Sequence, residues 1–192
     1  MSFFIFKYLD VENYNKIHQE LSNFAIPYSQ GKPTGLWTIP LNNFLKNCTI
    51  TDKYFLDLGI KNKLEKCCII VVHPGTKEKD AHIDKKIEPP IIGPCESRGC
   101  LSLNFNIQNG DITTVFLYEY ISGPKTIVDL PDRSEGSYIF YSGADLKEIG
   151  KYCLTKPVLM NNTVPHAIVN NTDATRISLS FRFSSDPWEL TV

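Results

Sequence analysis

No stretch of this 192-residue sequence approaches the roughly 20 apolar residues needed for a membrane-spanning helix. The apolar N-terminal stretch, Met-Ser-Phe-Phe-Ile-Phe-Lys, is too short for a secretory core and lacks a basic leader, which predicts a cytoplasmic protein with no membrane attachment. An excess of one charge is also missing. Twenty basic residues stand against 21 acidic ones, for a net charge of −1, and that balance makes nucleic acid an unlikely partner. The six cysteines match no zinc-ligand spacing, and a reducing compartment predicts free thiols, although Cys95 and Cys100 are close enough to clip a loop. Asn-x-Thr triplets begin at Asn47, Asn161 and Asn170, but without a secretory signal they carry no expectation of glycosylation. There is no repeat of solenoid type and no low-complexity tract.

What remains is an average globular composition, 42% hydrophobic and 21% charged, in a length that suits one domain. The first 66 residues read as a helical leader. Val11, Tyr14, Ile17, Leu21 and Phe24 recur at helical spacing, with Asp10 as the expected N-cap and Pro27 as the expected stop. Further helical turns are expected from Pro40 and from Thr51, the latter ending at Gly59. From residue 67 to 183 the pattern changes to short β-type runs. They are residues 67–72, 101–107, 113–120, 125–128, 137–141, 157–160, 166–170 and 176–183, separated by turn residues such as Asn109-Gly110 and Ser122-Gly123-Pro124. Residues 184–192 form a tail. About eight antiparallel strands after a helical leader predict a mainly β fold with N-terminal helices (α+β), a jelly roll whose helices pack on the outer face of one sheet.

Two of these strands alternate strictly. Leu101, Leu103, Phe105 and Ile107 interleave with Ser102, Asn104 and Asn106; Ile177, Leu179, Phe181 and Phe183 interleave with Arg176, Ser178, Ser180 and Arg182. Successive strand side chains point to opposite faces, so one face buries apolar residues against the helices and the other is polar. A polar face can meet solvent, as in many antiparallel sheets, or line a wet cavity inside a barrel.

Histidine is scarce, with four in the chain. His82-Ile83-Asp84 places two metal-capable side chains on one face of a strand. His166 is the natural third ligand, since two imidazoles and one carboxylate with open positions suit a non-haem Fe(II) oxygenase. Arg176-Ile177-Ser178 follows, with Arg176 ten residues after His166. The order, spacing and strand context of His82-Ile83-Asp84, His166 and Arg176-Ile177-Ser178 resemble the Fe(II)/2-oxoglutarate-dependent oxygenase superfamily, over roughly residues 67–183. The run from Pro157 to Asn170 also looks like that family's turn into its distal histidine.

The resemblance implies a double-stranded β-helix. It implies Fe(II) held by His82, Asp84 and His166, with 2-oxoglutarate and O2 as co-substrates and an unidentified small-molecule, amino-acid or peptide substrate. Arg176 and Ser178 would hold the far carboxylate of 2-oxoglutarate, for which a guanidinium is a planar, permanently charged fork and a hydroxyl an extra donor. Asp84 stands where halogenating relatives carry a small residue, so hydroxylation with release of succinate and CO2 is the expected outcome. Asn104, Asn106 and Tyr118 are candidates for substrate or supporting contacts. Arg182 competes with Arg176, His73 is an outside candidate for a ligand, and residues 77–80 read as a charged loop. Two other readings stay open at this point: a cupin-like metalloprotein that does not use 2-oxoglutarate, and a non-enzymatic jelly-roll binding module.

Overall fold

The computed structural model describes residues 5–76, 81–83, 100–129, 137–185, 187 and 190. Its strands are β1 (Phe6–Tyr8), β2 (Gly35–Ile39), β3 (Leu64–Val72), β4 (His82–Ile83), β5 (Leu101–Gln108), β6 (Thr114–Ser122), β7 (Thr126–Asp129), β8 (Ser137–Phe140), β9 (Asp145–Tyr152), β10 (Val158–Asn161), β11 (His166–Val169) and β12 (Arg176–Phe183). They form two antiparallel six-stranded sheets, ordered β1-β10-β5-β12-β3-β2 and β7-β8-β4-β11-β6-β9. The chain is therefore mainly β and jelly-roll-like, with four strands more than the eight expected. Those four are β1, β2, β4 and β9. β1 and β4 are too short to show a period, so β4 is marked only by the His82-Ile83-Asp84 motif, and β2 lies inside the helical leader. β9 (Asp-Leu-Lys-Glu-Ile-Gly-Lys-Tyr) is a half-exposed edge strand rich in charge, the usual composition for blunting an edge.

Helices α1 (Tyr14–Ser29), α2 (Leu41–Asn47) and α3 (Thr49–Asp57) all precede β3, and they cover one face of the β1–β2 sheet. Two expectations for α1 are corrected. Asp10 does not cap it; its carboxylate pairs with Lys156 at 2.6 Å, and Asn13, in the left-handed region at φ 56°, occupies the cap position. Pro27 does not stop the helix either. It sits in the last turn, where the hydrogen bond it forgoes would have gone to the carbonyl of exposed Asn23, so the chain helix continues to Ser29 at small cost. Pro40 starts α2, and Gly59, at φ +70°, ends the third helix where a side chain would be strained.

Among the described residues three apolar clusters result, the smallest formed by Ile83, Ile139 and Tyr141. Leu101, Leu103, Phe105, Ile177, Leu179, Phe181 and Phe183 face the helices, where the ring of Phe181 lies 5.0 Å from Phe44, 4.9 Å from Phe55 and 5.7 Å from Phe105. A second core, including Val72, Val115, Leu117, Val158, Met160 and Ile168, lies between the sheets. Every residue of β12 is buried, because this central strand is covered on both sides. Its polar residues therefore point between the sheets rather than to solvent. Among the described residues no helix is long and apolar enough to cross a membrane. Cys48, Cys67 and Cys153 carry thiols rather than disulfides; Cys95 lies outside the described residues.

Candidate metal and co-substrate site

His82 and His166 are directly paired across β4 and β11, and their ring centroids are 4.6 Å apart. His166 also pairs with Leu117 of β6, and Leu117 and Ile168 both belong to the inter-sheet core, so the two imidazoles point inward. Phe140, the β8 partner of His82, flanks that ring at 5.6 Å. Nδ1 of His166 lies 2.9 Å from the carbonyl of Val164. A carbonyl only accepts, so Nδ1 carries the proton of this bond. This is the arrangement by which a second contact orients a metal-ligating histidine. His166 is 6% exposed, and the N–H of Tyr118 donates to the carbonyl of Pro165 at 2.8 Å, which ties the entry to β11 onto β6.

Asp84 lies outside the described residues, as do residues 77–80. Among the described residues no three His, Cys, Asp or Glu side chains cluster as a metal site. His73 is not drawn in; it is exposed, with Nε2 3.0 Å from the carbonyl of Lys32 and Nδ1 3.2 Å from Oγ1 of Thr175, so it braces two loops.

The facing sheet supplies the polar column expected from the alternation. Arg176, 2% exposed, pairs with Val72, and Ser178, fully buried, lies between Ile70 of β3 and Asn106 of β5. Oγ of Ser178 has no hydrogen-bond partner among the described residues. A buried hydroxyl left unbonded costs about 1–3 kcal/mol, which a ligand oxygen at this position would relieve. The donor set thus fits the group: two inward imidazoles, one oriented through its Nδ1–H, facing a guanidinium and an unpartnered hydroxyl.

The three remaining candidates differ in placement. Asn104 is on the inner face, its Nδ2 donating to Oγ of Ser102 at 3.0 Å. Asn106 turns its carboxamide to its own hairpin, where Oδ1 accepts the N–H of Gly110 at 2.8 Å. Tyr118 alternates away from inward Leu117; it stacks on Phe116 at 6.5 Å, and burial together with the nearby Glu148 carboxylate raises its hydroxyl pKa.

Residue reading passed over Asn170 except as part of a turn. Its Nδ2 donates to the carbonyls of Val72 (3.0 Å), His73 (3.3 Å) and Ala174 (2.9 Å), and Oδ1 accepts from the N–H (3.1 Å) and hydroxyl (2.7 Å) of Thr172. It thereby fixes the turn that leads into Arg176. The available signal was an Asx residue at the end of a strand and two before Thr172.

No protein-family model matches the sequence, and no curated protein does. Among solved structures, the chain resembles the non-heme alpha ketoglutarate dependent carbocyclase SnoK from nogalamycin biosynthesis, with TM-score 0.51 and 8% identity over 92% of this chain and 77% of that one. It also aligns with a prolyl-4-hydroxylase of Pseudomonas putida (TM-score 0.49, 12% identity, 94% of this chain and 91% of that one). A third is EvdO2 of Micromonospora carbonacea var. aurantiaca complexed with 2-oxoglutarate (TM-score 0.45, 20% identity, 82% and 69%). At such identities the likeness is one of fold, and it shows that this chain shares the fold of SnoK.

Proposed function

We propose that the protein is an Fe(II)- and 2-oxoglutarate-dependent oxygenase that hydroxylates an unidentified substrate. The observation that carries this reading is the direct pairing of His82 with His166 on the inner face, with Nδ1–H of His166 fixed on the Val164 carbonyl. His82, Asp84 and His166 would hold the iron. Bound there, it supplies activation of O2 coupled to decarboxylation of 2-oxoglutarate to succinate and CO2. The chain's own work is positioning. Arg176 offers two parallel N–H donors to the far carboxylate of 2-oxoglutarate, and Ser178 adds a hydroxyl from the same face of β12. The Val164 carbonyl orients the His166 ring by accepting from Nδ1–H, and the inter-sheet core limits water around the site. The shared fold with SnoK is consistent with this chemistry but does not carry it.

The test is an anaerobic titration of the apoprotein with Fe(II) and then 2-oxoglutarate, following the visible metal-to-ligand charge-transfer band. The band is expected with wild type and lost with His166→Ala. With Arg176→Ala the loss of a charged hydrogen-bond pair should weaken 2-oxoglutarate by about 2 kcal/mol, roughly thirtyfold in Kd. Iron binding without a band would point to a metalloprotein that does not use 2-oxoglutarate, and no iron binding would refute the site.

A further inference from the structure

Two of the Asn-x-Thr triplets bracket β11, the strand that begins at His166. They fold alike. Oδ1 of Asn161 accepts the N–H of Thr163 at 3.0 Å and its hydroxyl at 2.7 Å, as Oδ1 of Asn170 accepts those of Thr172 at 3.1 and 2.7 Å. Each is a turn closed by its own asparagine side chain. Asn170 governs the exit of the strand toward Arg176, and Asn161 governs the entry, where His166 stands.

The entry turn is buried throughout, from Asn161 to His166. Connecting segments normally run on the surface, where water serves their polar groups, so here the main-chain donors must be met within the chain. The N–H of Asn161 donates to the carbonyl of Ile5 at 3.0 Å, and that of Asn162 to the carbonyl of Cys100 at 2.8 Å. Asn161 takes the other two ahead of Pro165, the Thr163 N–H through Oδ1 and the Val164 N–H through its carbonyl at 3.2 Å. Pro165 has no N–H of its own, and it restricts Val164 before it to extended backbone. The Val164 carbonyl is thus held from both sides, and it is the group that accepts Nδ1–H of His166 at 2.9 Å.

Resting on the oxygenase reading, we propose that Asn161 and Thr163 are positioning residues for the metal ligand His166. The Asn161 carboxamide sets the turn, the turn aims the Val164 carbonyl, and the carbonyl holds the imidazole for coordination. Loss of such a supporting contact typically costs about 10–100-fold in metal affinity. Here the contact is main chain, so no side-chain substitution at Val164 deletes it. The side chains that fix the carbonyl, Asn161 and Thr163, are the ones that control it, and both act through Val164 and His166.

The test uses the full chain without 2-oxoglutarate and has two readouts, both taken well below the thermal midpoint. One is the ring signals of His166 by NMR in the metal-free protein; the other is the Kd for Co(II). Asn161→Ala is expected to shift the Nδ1–H signal of His166 and to weaken Co(II) about tenfold. Asn170→Ala opens the matching turn at the other end of β11, which has no link to Val164, and should leave both readouts at their wild-type values. Should Asn161→Ala fail to fold, Thr163→Val and Thr163→Ser decide. The first deletes the 2.7 Å hydroxyl contact at nearly constant volume and should shift the ring signal and weaken Co(II) about threefold, the scale of one neutral hydrogen bond. The second keeps the hydroxyl and should restore wild-type affinity. The proposal is overturned if Asn161→Ala, or Thr163→Val in its place, lowers the thermal midpoint with both readouts unchanged. It is equally overturned if Asn170→Ala weakens Co(II) as much, or if Thr163→Ser behaves as Thr163→Val does. Failure of the oxygenase reading would show instead in wild type, as a missing charge-transfer band with Fe(II) and 2-oxoglutarate. The metal-free ring signal then decides alone whether Asn161 holds His166.

Discussion

Asn170 touches no proposed ligand, yet the site depends on it. Both ends of its buried carboxamide are engaged, bridging the end of β3 at Val72 and His73 to the turn at Thr172 and Ala174, two residues before Arg176. Nδ2 of Asn109 adds a bond to the carbonyl of Thr175 at 2.8 Å. Asn170→Ala would leave the Thr172 N–H and the carbonyls that its Nδ2 serves at Val72 and His73 without this partner, while the Thr172 hydroxyl keeps the Ala174 carbonyl, at a cost of about 2–3 kcal/mol. It should also raise the Kd for 2-oxoglutarate, because Arg176 would no longer be delivered in register. Urea denaturation and the charge-transfer titration, run where both proteins are folded, check the two parts; an unchanged urea midpoint would mean the turn stands without this side chain. The contrast with His82, His166, Arg176 and Ser178 shows what a sequence makes legible at this scale. Arg176 and Ser178 were visible because polar residues interrupt an apolar strand at strict alternation, and His82 and His166 because histidine is scarce and His82-Ile83-Asp84 forms a ligand motif. The alternation assigns a face but not a reach, which is why Asn106 bends to Gly110 while Asn104 joins Ser102.

The helices depend on a contact that links elements thirty residues apart. Oε1 of Glu20, in α1, accepts the N–H of Ile50 at 2.8 Å, and Oε2 accepts the N–H and hydroxyl of Thr51 at 2.8 and 2.7 Å. A carboxylate on the first turn of α3 satisfies donors that no residue of that helix caps, and it suits the positive end of the helix dipole. Glu20→Ala should cost about 1–2 kcal/mol, the range of a lost N-cap. That would be read as a lower thermal midpoint, and an unchanged midpoint would show that water serves those donors equally well. Such long-range caps leave no local trace, and neither do strands set by their neighbours. β5, β11 and β12 were readable because burial on one or both faces imposes a pattern, whereas β2 is defined by pairing with β3 and β9 by pairing with β6. Glycine at 110 marks the limit from the other side. A Cβ there would lie 2.6 Å from Oδ1 of Asn106, a constraint that the Asn109-Gly110 turn signal does not contain.

At the scale of the whole molecule, the central sheet is packed on both faces, and the helix-side core encloses groups that lose a proton only at high pH. Burial, reinforced by the Glu20 carboxylate, pushes the Cys48 thiol up to about 12, and burial alone pushes the Tyr54 hydroxyl to about 12. Burial likewise raises the Cys67 thiol, with Cys68 and Cys48 adding to it. In the unfolded chain the same thiols and hydroxyl ionise near their ordinary values of 9.0 and 10.0. Below pH 9.0 both states keep their protons and stability does not depend on these groups. Above it the unfolded state gives up protons that the folded state retains, so stability falls as pH rises, by about 1.4 kcal/mol per pH unit for each group that has begun to titrate only in the unfolded chain. Urea midpoints should therefore be flat from neutrality to pH 9 and drop steeply toward pH 11. Cys48→Ala should make that drop shallower by about one proton's worth of slope, whatever it does to stability at pH 7. An equal slope in wild type and variant would place the alkaline sensitivity elsewhere than at the thiol that α2, α3 and β3 enclose.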